Sequence, residues 1–417
     1  MQILDGHLPR SLLERGSAGP DVSGVARMVS EVRVRGDEAV AEYNATFDGD
    51  ALAPFALSAE EVARLRAQVE PEVLEALRFA HERMASFAAS QRGAVRETTW
   101  DDGAGVRCGT RFVPVERVAC YVPGGRFPLP SSALMTVTAA RVAGVREVAV
   151  FSPRMAPEVA AAAHMAGADT FYRIGGPQAV AAAAYGTVQV GKVDMIVGPG
   201  NAYVTEAKRQ VLGSVGIDML AGPREVLIIA DEHAEPTRLA VDLLAQAEHD
   251  PHALALLFTP SRELAERVAG EIVRFRRHLA LPEFIGESLE HSAIVLFESL
   301  ERCAAMSEEV APEHLELHVQ NAESWRERFK HYGCLFLGEP AAEVFGDYCA
   351  GTNHVLPTGG AARFSAGLSP LAFLMPRTWQ TATPEAAANL APTVERLARI
   401  EGLNAHAEAA RQRRGEA

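Results

Sequence analysis

Two pairs of side chains in this sequence have the types and spacing for chemistry at one centre. Gln246 and His249 close the helical pattern LLAQAEHD (243–250) three residues apart, so they share a helix face. Nitrogen and oxygen donors so placed can hold two positions of a metal ion, although a polar helix end has the same spacing. Glu313 and His314 stand side by side in APEHLEL (311–317), just ahead of a strand pattern. A carboxylate and an imidazole together can divide proton-transfer work. Neighbours on an extended chain point to opposite sides, so both reach one centre only from a turn. Further donors come later: Asp347 and His354 in GDYCAGTNHVLPTGG (346–360), then Glu401 and His406 in IEGLNAH (400–406). Asp347 and His406 can complete a four-coordinate set with Gln246 and His249, but spacing alone does not join residues spread from 246 to 406.

Two Gly-rich turns follow strand patterns and open helices, GGPQAVAA (175–182) and GPGNAYVTEAKRQ (198–210). Such turns leave backbone N–H groups free for phosphate. Neither is the dinucleotide fingerprint GxGxxG, since Tyr203 stands at the third glycine of the second turn. Arg224, in MLAGPREVLIIAD (219–231), puts a fixed positive charge in the turn that launches a buried strand.

The elements that must position these residues alternate. Before about residue 100 the chain reads as helical, with a capping box at Ser58 and Glu61 and a long helix opened by Pro71. From about residue 117, apolar β-rich runs (RVACYV, EVAVF, TFYRI, VDMIV, VLIIAD, ALALLFT, SAIVLF, HLELHV, CLFLGE) alternate with Ala-rich helical stretches. That order predicts an α/β fold with mainly parallel sheets, and the length allows two. After about residue 368 the pattern is helical again.

With 54 acidic and 40 basic residues the net charge is −14, which opposes nonspecific binding to nucleic acid and suits a small-molecule substrate. Five scattered cysteines form no CxxC pair and fit a reducing cytoplasm. MQILDGHLPRS lacks the basic and apolar regions of a signal peptide, and no apolar run reaches membrane-spanning length.

Taken together and in order, VGPGNAYVTEAKRQV, QAEH, APEHLEL, GDYCAGTNHVLPTGG and the late E-x-x-x-x-H resemble the histidinol dehydrogenase family, from about residue 20 to the end. The resemblance implies a zinc- and NAD-dependent enzyme that oxidises L-histidinol twice, through L-histidinal, to L-histidine. It implies one Zn2+ per subunit on Gln246, His249, Asp347 and His406, with Glu313 and His314 as acid–base residues. His354 and Glu401 would contact substrate beside the zinc ligands and His314, and Tyr121, Gln178 and Asn201 would face NAD. It also implies two incomplete Rossmann-like α/β domains, one inserted in the other, plus a small C-terminal helical module. The expected boundaries are an N-terminal arm at 1–17, a first domain at 18–120 and 224–368, a second, NAD-facing domain at 121–223, and the module at 369–417. The module would swap onto a partner, so that Glu401 and His406 complete the other subunit's site in a homodimer. Glu313 should be desolvated, since a carboxylate needs a raised pKa to serve as base.

Arg224 departs from the resemblance, which calls for Ser or Thr in AGP-x-E at a substrate-contacting position. A guanidinium about 6 Å from the ammonium of histidinol, at an effective dielectric near 20, would cost roughly 3 kcal/mol. Arg224 therefore turns outward to a nearby acid, pairs with NAD phosphates or Glu225, or receives an anionic substrate. The last alternative resembles relatives that oxidise a sulfonated propanediol, and VPGGRFP (122–128) looks like theirs.

Overall fold

The computed structural model describes residues 1–9, 12, 21–49, 54–124 and 127–414. Two compact units emerge: Met1–Ser90 with Val115–Phe373, and Gln91–Pro114 with Leu374–Ala417.

The first unit holds two parallel sheets. One has six strands, in the order Gln2–Asp5, Ala293–Leu296, Leu254–Thr259, Glu225–Ala230, His314–His318 and Cys334–Leu337. Every neighbouring pair is parallel. Its central strands, EVLIIA and LALLFT, are buried at every residue, as strands covered on both faces must be. Alternate side chains go to opposite faces. Val226 and Ile228 pack with Leu239, Leu243, Leu264 and Val268 on one side. Leu227 and Ile229 pack with Cys303, Val310 and Leu317 on the other.

The other sheet has five strands, in the order Thr170–Tyr172, Glu147–Phe151, Arg117–Tyr121, Met195–Val197 and Gly216–Ile217, again all parallel. Numbered by its own sequence, its order is 3-2-1-4-5, that of a dinucleotide-binding sheet without its sixth strand. The strands at 225, 254, 293, 314 and 334 repeat the same order, with Gln2–Asp5 added at the edge. The five-stranded sheet is inserted between that edge strand and the rest.

Several expected boundaries move. The second domain cannot start at 121, because Arg117–Tyr121 is its central strand. The helices Val25–Arg35 and Asp37–Asp48 were expected with the six-stranded sheet. Instead Val25, Val29, Val32 and Val40 share a core with Ala179–Ala184 and Val204 of the inserted domain. The run AVAAAA lets helix Gly176–Tyr185 approach closely, so its neighbour can settle there. The arm expected at 1–17 supplies strand Gln2–Asp5; its residues 10, 11 and 13–17 lie outside the described residues. The Ser58–Glu61 capping box and the helix from Pro71 are present as read.

The second unit is not purely helical. Leu374–Ala382 pairs antiparallel with Val106–Pro114, which pairs with Thr98–Asp101, ahead of helices Pro384–Ile400 and Asn404–Arg411. Pro376 disguises the first of these strands in the sequence; it is tolerated because the strand is at the sheet edge. No helix among the described residues is long and apolar enough to cross a membrane.

Candidate active site

Open α/β sheets bind ligands where the strand order reverses, normally outside the carboxyl ends. In the six-stranded sheet that reversal lies between Glu225–Ala230 and His314–His318. At its carboxyl end Asp231 accepts the amides of His233 (3.0 Å) and Gln320 (2.6 Å). The polar residues gather at the amino end instead. Arg224 precedes one strand, and Glu313 precedes the other, which His314 begins.

Ala311 adopts a left-handed conformation (φ 49°) and Pro312 follows, so Glu313 lies in a bend before the strand. That turn lets adjacent residues meet: Glu313 Oε2 is 3.8 Å from His314 Nδ1. Glu313 Oε2 also accepts the amide of Glu225 at 2.8 Å. The Nδ1 of His314 is 3.1 Å from the carbonyl of Glu225 and 3.4 Å from Glu343 Oε1, while its Nε2 is 3.6 Å from Asp347 Oδ1. Burial pushes the Glu313 carboxyl up to about 7, against the pull of His314 and Arg224. It is 2% exposed, so the desolvation expected of it is present. For His314 burial disfavours the charge, but Glu343, Glu313 and Asp347 outweigh it and raise the imidazole to about 10.

Helix Glu343–Tyr348 presents Glu343 and Asp347 one turn apart. The ligand atoms of His249, Glu343 and Asp347 lie within 4.8 Å of one another. Gln246, in the last turn of helix Pro236–Ala247, is fully buried, and neither atom of its amide has a partner among the described residues. A buried amide left so is costly unless something else satisfies it. An oxygen and nitrogen donor set of this kind fits a metal such as zinc.

Arg224 does not turn outward. Its Nη1 pairs with Asp347 Oδ2 and lies 3.4 Å from His249 Nε2. The nearby acid is therefore one of the candidate ligands. Arg224 also holds Asp347 well below the usual carboxylate range despite burial, and with burial it depresses His249 to about 3. His354 is buried, with Nδ1 2.9 Å from the carbonyl of Asp347 and Nε2 3.2 Å from Ser132 Oγ. Ser132 opens helix Pro130–Ala143 of the inserted domain, so His354 joins the two sheets' sides of the unit.

In the five-stranded sheet the reversal lies between Arg117–Tyr121 and Met195–Val197. Tyr121 ends the first of these strands and its hydroxyl accepts the amide of Gly176 at 3.0 Å. Gln178, in the first turn of helix Gly176–Tyr185, is fully buried; it donates to Asn44 Oδ1 at 3.1 Å, and its Oε1 has no partner among the described residues. Asn201 caps helix Ala202–Val211, accepting the amides of Tyr203 and Val204 at 3.1 Å. Glu401 and His406 belong to the second unit, at the end of helix Pro384–Ile400 and on helix Asn404–Arg411, and both are exposed. Residues 125 and 126 of VPGGRFP lie outside the described residues.

Sequence reasoning missed Glu343; its i, i+4 spacing to Asp347 was the available signal. It also missed a buried file on the strand HLELH, where His314, Glu316 and His318 share one face by alternation. Glu316 accepts the Glu343 amide at 2.6 Å, and with His318 and Asp242 it forms a second close group.

A buried acid–base pair beside a cation-ready donor set, next to a dinucleotide-type sheet, defines an α/β enzyme for proton-transfer chemistry. A family model for histidinol dehydrogenase matches residues 18–414. The histidinol dehydrogenase of Methanosarcina mazei is 44% identical over 412 residues, covering 97% of this chain and 94% of its own. That of Rhodospirillum rubrum is 45% identical over 401 residues, covering 94% and 92%. A crystal structure of histidinol dehydrogenase from Elizabethkingia anophelis superposes with a TM-score of 0.93 at 33% identity, covering 99% of this chain and 98% of the other. The chain belongs to the histidinol dehydrogenase family and is an oxidoreductase acting on a small molecule. The sulfonated-diol alternative is not favoured.

Proposed function

We propose that the chain oxidises L-histidinol to L-histidine in two successive steps through L-histidinal, passing both hydrides to NAD, in the last step of histidine biosynthesis. The observation that carries this reading is the buried Glu313–His314 pair set against Asp347, which His249 also approaches. His314 takes the alcohol proton in the first oxidation, and Glu313 activates water on the aldehyde for the second. His314 is a base only when another cation balances Glu343, Glu313 and Asp347, the charges that otherwise keep it protonated. Gln246, His249 and Asp347, with His406, are the residues that would hold zinc, and Glu343 lies close enough to join or buffer them. Zinc there would supply a template for the substrate's imidazole and amino nitrogens. NAD would supply the hydride acceptor, held along the switch point at Tyr121, Gln178 and Asn201, where the orphaned Gln178 Oε1 awaits a donor. His354 and Glu401 position substrate.

The proposal includes a cytoplasmic homodimer in which the C-terminal module lends Glu401 and His406 to the partner's site. Its physical support is that both side chains are exposed on their own unit, available to a second copy. NADH yield per L-histidinol, with and without a chelator, tests the chemistry. Two NADH, abolished by chelation, are expected; one NADH, or full activity without metal, refutes it. Mixing inactive His249→Ala and His406→Ala proteins should restore activity if sites are shared, because one hybrid site is then intact.

A further inference from the structure

We infer that Arg224 is a built-in counter-cation that competes with the metal for Asp347 Oδ2, so that zinc held between this oxygen and His249 must displace the guanidinium. This rests on the reading that the site holds a metal. The guanidinium Nη1 contacts both Asp347 Oδ2 and, at 3.4 Å, His249 Nε2. Those two atoms are 4.0 Å apart. An ion bonded to both, at about 2.0–2.2 Å from each, would sit between them. That point is flanked by Nη1, which is within hydrogen-bond reach of both atoms and so overlaps the ion's coordination space. Arginine cannot lose its proton to become a ligand or a neutral bystander. The two cations therefore exclude one another at Asp347 Oδ2, the oxygen that faces His249 Nε2 at 4.0 Å.

The rest of the site explains why a cation at this place is tolerated without metal. Glu313, Glu343 and Asp347 bring three carboxyl groups into one buried cluster around His314. Unbalanced buried charge is strongly destabilising. Arg224 balances part of it when the metal is absent. Its side chain keeps 22% of its surface, against 8% for Asp347, so the arginine is the more open of the two to water. A small residue at 224 would leave the metal-free cluster unbalanced and the metal unopposed. The arginine thus trades zinc affinity for stability of the metal-free protein.

The test uses the full chain as wild type, Arg224→Ser and Arg224→Lys. Zinc is titrated against a chromophoric chelator, and melting temperature is measured with and without zinc. Losing one charged hydrogen-bonded competitor should tighten zinc binding by about 10–100-fold in Arg224→Ser. The metal-free Tm of that variant should fall, and its rise on adding zinc should exceed that of the wild type. Arg224→Lys keeps the charge without the planar fork and should fall between. Unchanged or weaker zinc binding in Arg224→Ser overturns the competition. If no protein binds zinc, the metal reading itself fails, a distinguishable result. Should metal-free Arg224→Ser not fold, zinc-loaded proteins are exposed to excess chelator. Slower zinc loss from the variant supports the inference, and equal or faster loss overturns it.

Discussion

Glu313→Gln separates the two oxidations and tests the electrostatics of the site in one variant. Burial raises the Glu313 carboxyl from 4.5 to about 7. A carboxyl whose folded pKa is raised favours its neutral form in the native state. The cost of ionising it is absent below pH 4.5, grows between 4.5 and 7, and is constant above. At 1.36 kcal/mol per pKa unit it reaches about 3 kcal/mol. Glutamine keeps an oxygen to accept the Glu225 amide but carries no charge. The zinc-free variant should therefore be more stable than zinc-free wild type at pH 8 by up to about 3 kcal/mol, with the difference vanishing near pH 4. Urea denaturation at the two pH values measures this. In the zinc-loaded enzyme the first oxidation should persist while the second slows by about 10²–10⁴. NADH per L-histidinol should drop from two towards one, and histidinal should accumulate. A variant that is less stable at pH 8, or that loses both oxidations equally, refutes the assignment of Glu313 as a desolvated base for the second step.

Other expectations follow from the inserted domain and from the residue that bonds to it at Ser132. Lys208 and Asp218 form a buried ion pair, 3% and 1% exposed, in which Lys208 also donates to Gly198 O at 3.0 Å. Lys208→Ala removes the cation beside buried Asp218, which keeps, among the described residues, only the amides of Gly198 and Met219, and should cost about 3–5 kcal/mol in denaturant unfolding. Gly198 has φ +112°, and a Cβ there would lie 2.1 Å from the carbonyl oxygen of Tyr121. Gly198→Ala should therefore raise the KM for NAD and lower Tm together, because the clash moves the end of the Tyr121 strand; a Tm equal to wild type would contradict this. His354→Ala should cut turnover with L-histidinol while leaving NAD affinity unchanged, as isothermal titration would show, since His354 bonds Ser132 and Asp347 and none of the Tyr121, Gln178 or Asn201 group.

Local chemistry was legible in the sequence wherever it depends on neighbours along the chain. The need for a turn at Glu313, the Ser58 capping box and the alternation of strands with helices are all set by short-range geometry, whereas the helix expected to carry both Gln246 and His249 ends at Ala247 and leaves His249 beyond its cap. Pairings across long sequence distance were not. Nothing in the period of LMPRTWQTA names Val106–Pro114 as its partner, so the second unit was read as helical. Likewise, the early valines give a helix face but not the sheet that face covers. The position of the site at the amino ends, and the entry of Glu343 into it, follow from strand order, which no local pattern encodes. Arg224 shows the division most plainly. Its charge and its place before a strand were determined by the sequence. Its direction was decided by the fold, which buries Asp347 beside it.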